Sequence, residues 1–209
     1  VHPATVNIIV IGYALPDKEI ACLKAVRKNT VHPYLLTFFD NYNSGLTLTQ
    51  AWNGLIKASP CTFICLLNND TEAYPHWLER MYESSISIQD CGFIGPSTNM
   101  CHSPQRGVST YQESEKHRGK VIKMKNPISG FCILFKKSIW DLLNGFDERY
   151  TLYGQESDLI DRATTHGFYS YWRQDAFVFH HGEASVKASK IDIEKERECA
   201  KKLYWSTRK

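Results

Sequence analysis

Apolar and polar positions alternate in blocks along the first half of the chain. Residues 7–11 (NIIVI) form a short apolar run that Gly12 ends. Over residues 17–29, Ile20, Leu23, Ala25 and Val26 recur at helical spacing. Residues 35–40 (LLTFFD) read as a second strand closed by an acid, and a polar loop at 41–45 leads into a helix at about 46–58. Residues 62–71 (TFICLLNNDT) are a third strand, whose apolar run stops at Asn68, Asn69 and Asp70. A helix is predicted over 74–88, with Pro75 in its first turn, where a missing N–H does no harm. The order β-α-β-α-β-α predicts an α/β fold. The expected arrangement is a single-domain, Rossmann-like sheet with helices on both faces. Ligands of such sheets bind at the carboxyl ends of the strands, where Asp40 and Asp70 fall.

The second half is less regular. Residues 92–97 (GFIGPS) read as a short strand, and the polar stretch 98–127 as a mobile loop over a site. Residues 129–137 (SGFCILFKK) read as a strand and 138–143 as a short helix. Residues 154–166 carry Leu159, Ile160 and Ala163 at helical spacing. Residues 169–180 give one or two strands ending in His180 and His181. The tail from Lys190 is a charged helix with Ile193, Ala200, Leu203 and Tyr204 on one face. No internal repeat or linker divides the chain. The expected organisation is one domain over 1–189, in two halves (1–97 and 98–189), followed by a C-terminal helix (190–209).

Composition narrows the classes. A chain of 209 residues with 43% hydrophobic residues can bury one sizeable core. A net charge of +3 with scattered basic residues argues against a nucleic-acid partner. The seven cysteines are odd in number and lack zinc-finger spacing. Cys61, Cys65 and Cys132 fall in apolar runs as small buried residues. Reduced thiols, no signal peptide and no membrane-spanning run give a cytoplasmic expectation. The basic outer face of the last helix reads as solvated, with membrane-surface contact the minority reading.

An acid after a strand is most often a cap or turn residue. Glu156 and Asp158 in a first helical turn complement the macrodipole. A histidine pair at a strand end is usually just exposed. Order changes this weighing. The strand ending LLNNDT is followed by Trp77 and Leu78, then by Ser129 and Gly130 before a strand. Next come residues 143–148 (LNGFDE), 155–159 (QESDL) and 180–185 (HHGEAS). This ordered set, spread over residues 7–185, resembles the family 2 nucleotide-sugar glycosyltransferases, in the rhamnosyltransferase-like branch.

The resemblance implies the A-type glycosyltransferase (GT-A) fold in a compact version, with 1–189 as the catalytic domain, 1–97 as its nucleotide-binding half and 98–189 as its acceptor half. It implies that Asp70 closes a DxD-type motif and binds a divalent metal, manganese ahead of magnesium, with His180 or His181 completing the site; His180 is the better match. It places Asn69 near the ribose and phosphates, Asp40 at the base and Tyr13 in the base pocket. Glu156 matches the catalytic base, and Gly130 and Asp158 the donor and acceptor pocket. The implied reaction moves a sugar from a nucleotide-diphosphate donor, a UDP-sugar first, to a hydroxyl of a glycan, lipid-linked or other acceptor. It is a single displacement with inversion.

The physics agrees with these roles. A hard cation stabilises charge on a departing diphosphate, and a carboxylate within hydrogen-bond reach can deprotonate the acceptor. The chain departs from the family pattern in having Gln155 before Glu156 where an acid pair is usual. The string Tyr153, Gly154, Gln155, Glu156 is also similar to the Trp-Gly-Gly-Glu motif of N-acetylhexosamine transferases, some of which retain configuration. Two alternatives stay open. One is a non-catalytic nucleotide-sugar or glycan-binding module. The other is a nucleotidyltransferase, against which the loop at 12–16 (GYALP) has one glycine and no basic residue. The aromatics Tyr169, Tyr171, Trp172 and Trp140 read as packing.

Overall fold

A strand buried on both faces needs a nearly continuous apolar run, and β1 (Val6–Gly12) is one: all of it is buried, and its single polar side chain, Asn7, donates to Ser59 Oγ and accepts from Thr37 Oγ1. In this computed structural model, which describes residues 6–182 and 192–208, β1 lies between β2 (Tyr34–Asp40) and β3 (Phe63–Asn68), parallel to both. Val6, Ile8 and Val10 face α1 (Pro16–Asn29) and α3 (Trp77–Ser87) through Cys22, Val26, Leu78 and Met81. Ile9 and Ile11 face the other way, toward Ala51, Trp52 and Ile56 of α2 (Leu48–Ala58). The period of two in the strand thus divides the core between two helical layers. A reciprocal capping box of Thr47 and Gln50 starts α2 and contributes about 1 kcal/mol.

The remaining strands extend the sheet in the order β2-β1-β3-β7-β5-β8-β4, with β6 also on β8. These are β4 (Thr71–Ala73), β5 (Cys91–Ser97), β6 (Val121–Lys123), β7 (Cys132–Lys136) and β8 (Tyr169–His180). β7 runs antiparallel between β3 and β5, so its start lies at the edge where β3 ends. The region 169–180 is one strand with a break in register. Its first part pairs with β5 up to Pro96 and Arg173, and pairing resumes at Ser97 and Phe177. Beyond the break β8 pairs antiparallel with β4.

Two expectations need correction. The helix after Asp70 begins at Trp77, and Pro75 precedes it: residues 71–73 form β4, and the chain turns through His76 at φ +65°. An apolar period cannot reveal a strand of three residues. The stretch 98–127 also has regular structure: a 3₁₀ turn (Pro104–Gly107), α4 (Tyr111–Glu115) and β6. Its own polar side chains and Asp175 of β8 hold its backbone. Ser103 Oγ accepts from Gln105 N, Thr110 Oγ1 accepts from Glu113 N, and the Gly119 N–H donates to Asp175 Oδ2 at 2.9 Å.

Short α5 (Lys137–Leu142) and α6 (Gln155–Thr164) complete the second helical layer, with Ile139, Trp140, Leu159 and Ile160 in the core. The last helix, α7 (Ile193–Ser206), docks on α6, where Arg208 Nη2 meets Asp161 Oδ2 at 2.8 Å. Tyr171 and Trp172 are buried in β8, and the Trp172 indole N–H donates to Ser97 Oγ at 2.9 Å. All seven cysteines are free and all but Cys199 are buried. Among the described residues no helix is long and apolar enough to cross a membrane.

Candidate active site

Register alone gathers the first set of residues at one sheet edge. Gly12 lies opposite Asp40, and Ile11 opposite Asn68. Tyr13, Asp40 and Asn69 therefore leave three neighbouring strands side by side. Asp40 Oδ1 accepts from Tyr42 N at 3.0 Å, and the Tyr42 ring meets Tyr13 edge-on at 5.4 Å. Tyr42 is 54% exposed. It was hidden in the sequence because residues 41–45 read as a polar turn.

Glu19 was missed too. Its Oε1 accepts from Tyr13 N at 2.7 Å, Leu15 N at 3.3 Å and Asn69 Nδ2 at 3.0 Å. One carboxylate oxygen thus joins the loop after β1 to the loop after β3. Ala14, between the two donors, has φ +56°. In the sequence Glu19 reads as one more acid in the first turn of a helix, and the only signal is its closeness to a strand end.

The second set comes from long-range pairing. Thr71 of β4 lies opposite His180 of β8, which brings His180 Nε2 to 3.3 Å from Asp70 Oδ1. Both residues are buried. His180 Nδ1 is 2.9 Å from the Met100 carbonyl, which can only accept, so Nδ1 carries the hydrogen. In the neutral ring Nε2 then holds its lone pair beside Asp70. The Phe131 ring stacks on the imidazole at 5.3 Å and fixes its plane. Two ligands of an octahedral ion stand about 3 Å apart, so this oxygen and nitrogen fit adjacent positions around one divalent cation. Among the described residues no group of three or more His, Cys, Asp or Glu gathers to hold a metal. His181 is engaged elsewhere: its Nε2 lies 2.8 Å from Glu72 Oε1 and its Nδ1 3.0 Å from Lys18 Nζ.

The third set is built around Gly130. The Asn68 N–H donates to Phe131 O at 2.9 Å, which ties the start of β7 to the Asn68–Asp70 turn. A Cβ on Gly130 would stand 2.9 Å from Glu156 Oε1, so the carboxylate of α6 lies directly over this glycine. Glu156 shares an apolar crevice with Leu66, Phe93, Ile133 and Phe146. Burial there raises its pKa above the usual carboxylate range, and the backbone N–H groups of Glu156 and Gly130 pull it partly back. Gln155 is buried, and its Nε2 donates to Leu152 O at 3.1 Å.

Asp158, expected in the donor and acceptor pocket, has its carboxylate engaged by arginines. Oδ2 receives Arg162 Nε at 2.8 Å, and Arg208 Nη2 lies 3.7 Å from Oδ1. The other guanidinium nitrogens of Arg162 donate to Leu143 O and Gly145 O, so Asp158 helps fix α6 against residues 143–145. Ser185, the far end of the histidine motif, lies outside the described residues.

No protein-family model matches the chain. A stretch of 54 residues is 41% identical to the N-acetylglucosaminyl-diphospho-decaprenol L-rhamnosyltransferase of Mycobacterium tuberculosis, covering 26% of this chain and 18% of that protein. The O-antigen biosynthesis protein RfbC of Myxococcus xanthus is 22% identical over 66% of this chain and 12% of its own length. The chain thus spans less than a fifth of these curated relatives. A crystal structure of GalNAc-T7 with UDP, GalNAc and Mn2+ superposes with a TM-score of 0.67 at 11% identity, covering 86% of this chain and 44% of that one. The last likeness establishes the GT-A fold.

Proposed function

We propose that the chain is the catalytic domain of a metal-dependent glycosyltransferase. It moves a sugar from a nucleotide-diphosphate donor, a UDP-sugar first, to a hydroxyl acceptor with inversion. The observation that carries this reading is the pair Asp70 Oδ1 and His180 Nε2, 3.3 Å apart at the edge where the nucleotide loops converge. Asp70 and His180 would hold a divalent cation, manganese ahead of magnesium for a mixed oxygen and nitrogen pair, and that ion would supply charge stabilisation to the departing diphosphate.

The chain's own residues do the rest. Tyr13, Tyr42 and Asp40 form the wall of the base pocket, and Glu19 holds that wall in register with Asn69 beside the ribose. Glu156 takes the proton of the attacking acceptor hydroxyl. Its raised pKa suits that task, because a base is most effective when its pKa lies near the working pH. Gly130 leaves room for the Glu156 carboxylate, and Asp158 keeps α6 in place through Arg162.

The mycobacterial relative's name describes transfer to a diphospho-decaprenol-linked sugar, which makes a lipid-linked glycan a reasonable first acceptor to test. The test is a panel of UDP-, GDP- and dTDP-sugars with manganese and with chelator. Nucleoside diphosphate release that manganese stimulates is the expected result. Nucleotide binding without release from any donor, in the presence of acceptor glycans, would instead favour a binding module. Gln155 in place of an acid is the observation behind that second reading.

A further inference from the structure

Among the described residues, the proposed metal site has one carboxylate, Asp70, and one neutral nitrogen, His180 Nε2 in the tautomer that Met100 imposes. A divalent ion held this way keeps a net single positive charge. The two phosphates of a nucleotide sugar carry more negative charge than that. A further cation near the diphosphate would therefore strengthen donor binding and ease leaving-group departure.

Lys18 is placed to be that cation. It lies in the first turn of α1, next to Glu19, whose carboxylate accepts from Tyr13 N and Asn69 Nδ2. Its Nζ is 3.0 Å from His181 Nδ1. An ammonium only donates, so Nδ1 accepts, Nε2 carries the ring hydrogen, and that hydrogen goes to Glu72 Oε1 at 2.8 Å. The His181 N–H donates to Asp70 O at 3.0 Å. The chain Lys18–His181–Glu72 is thus anchored to the backbone of the residue proposed as metal ligand. Among the described residues Lys18 forms no salt bridge with a carboxylate. Its partner is a neutral ring, and an ammonium has three donors. The neighbouring side chains also explain its position: Glu19 on one side binds the nucleotide loops, and His181 on the other adjoins His180.

We propose that Lys18, held by His181, binds the diphosphate of the nucleotide donor as a second positive charge beside the metal position. This rests on the glycosyltransferase reading, and its test separates the two. The test measures calorimetric affinity for UDP and for uridine, with manganese and with chelator, in the wild type, Lys18→Met and Lys18→Arg, with thermal unfolding of each. Lys18→Met is expected to weaken UDP about tenfold in both conditions, as loss of a charge-assisted contact does, and to leave uridine unchanged. Lys18→Arg should restore most of the loss. Equal UDP affinity in wild type and Lys18→Met overturns the proposal alone. So does a parallel loss for uridine, which would make Lys18 a support for the fold. A wild type that binds no UDP overturns both the proposal and the reading beneath it.

Discussion

The two halves proposed to bind the nucleotide and the acceptor build their parts of the candidate site in different ways. In the nucleotide half, Tyr13, Asp40 and Asn69 each follow directly from the end of a parallel strand. Adjacent register, Gly12 to Asp40 and Ile11 to Asn68, brings them together. In the acceptor half, Gly130, Glu156 and His180 come from the start of an antiparallel strand, the start of a helix and the end of a strand with broken register. They meet because β7 inserts beside β3 and β4 pairs with β8. A position at a strand end follows from local pattern. A position that depends on inserted strands follows only from long-range packing. Under the proposed function the first half supplies a nucleotide frame and Asp70, and the second half brings His180 and Glu156 to that frame.

Substitutions can test this division, and the largest effect is expected at Glu156. Glu156→Gln should lower kcat by about a thousandfold, the scale of a lost general base, while metal-dependent nucleotide affinity stays as in wild type. Loss of nucleotide affinity as well would show that the two halves are not separable. Gly130→Ala comes next. Its methyl would meet Glu156 Oε1 at 2.9 Å, and displacing the carboxylate should cut kcat by about a hundredfold with little change in donor KM.

Glu19→Ala probes the frame. It removes the acceptor of three hydrogen bonds and should raise donor KM about tenfold with kcat nearly constant. Glu19→Gln keeps an acceptor oxygen and should recover much of the affinity. A kcat effect from Glu19→Ala larger than its KM effect would place Glu19 in the chemistry. Asp158→Ala should destabilise the protein by about 1–2 kcal/mol in denaturant unfolding, because it leaves Arg162 without its near-buried partner. A change in acceptor KM at unchanged stability would return Asp158 to the pocket.

The smallest effect is a gain in stability. The folded-state pKa of Glu156 is raised above its ordinary value of 4.5. Its stabilising contribution is therefore fully present below that value and is lost as pH rises through the folded pKa. Glu156→Gln removes this loss. Its unfolding free energy should match wild type in acid and exceed it increasingly toward neutral pH. A constant offset across pH would mean the carboxylate is not buried as charge.

Much of the frame was legible in the sequence because both of its signals are local. The apolar run 62–67 and its stop at Asn68 are covalent neighbours of the residues they position. The same holds for Gln155 and Glu156, which open a helix whose periodic apolar face is visible in Leu159, Ile160 and Ala163. Residues whose roles depend on reaching across were not legible. Glu19 and Lys18 looked like ordinary charges of a first helical turn. The pattern also left open whether His180 or His181 faces Asp70. The β4–β8 register places His180 opposite Thr71, while His181 goes to Glu72.

The sequence by itself determined the layered α/β architecture, the strand ends and the carboxylates that close them, because apolar period and chain order are properties of neighbouring residues. Only the tertiary structure decided that Asp70 meets His180, that Glu156 lies over Gly130 in an apolar crevice, and that Glu19 ties two loops together. These contacts join residues 26 to 110 positions apart in the chain. Their geometry is set by strand insertion and register, which the pattern of any one segment does not carry.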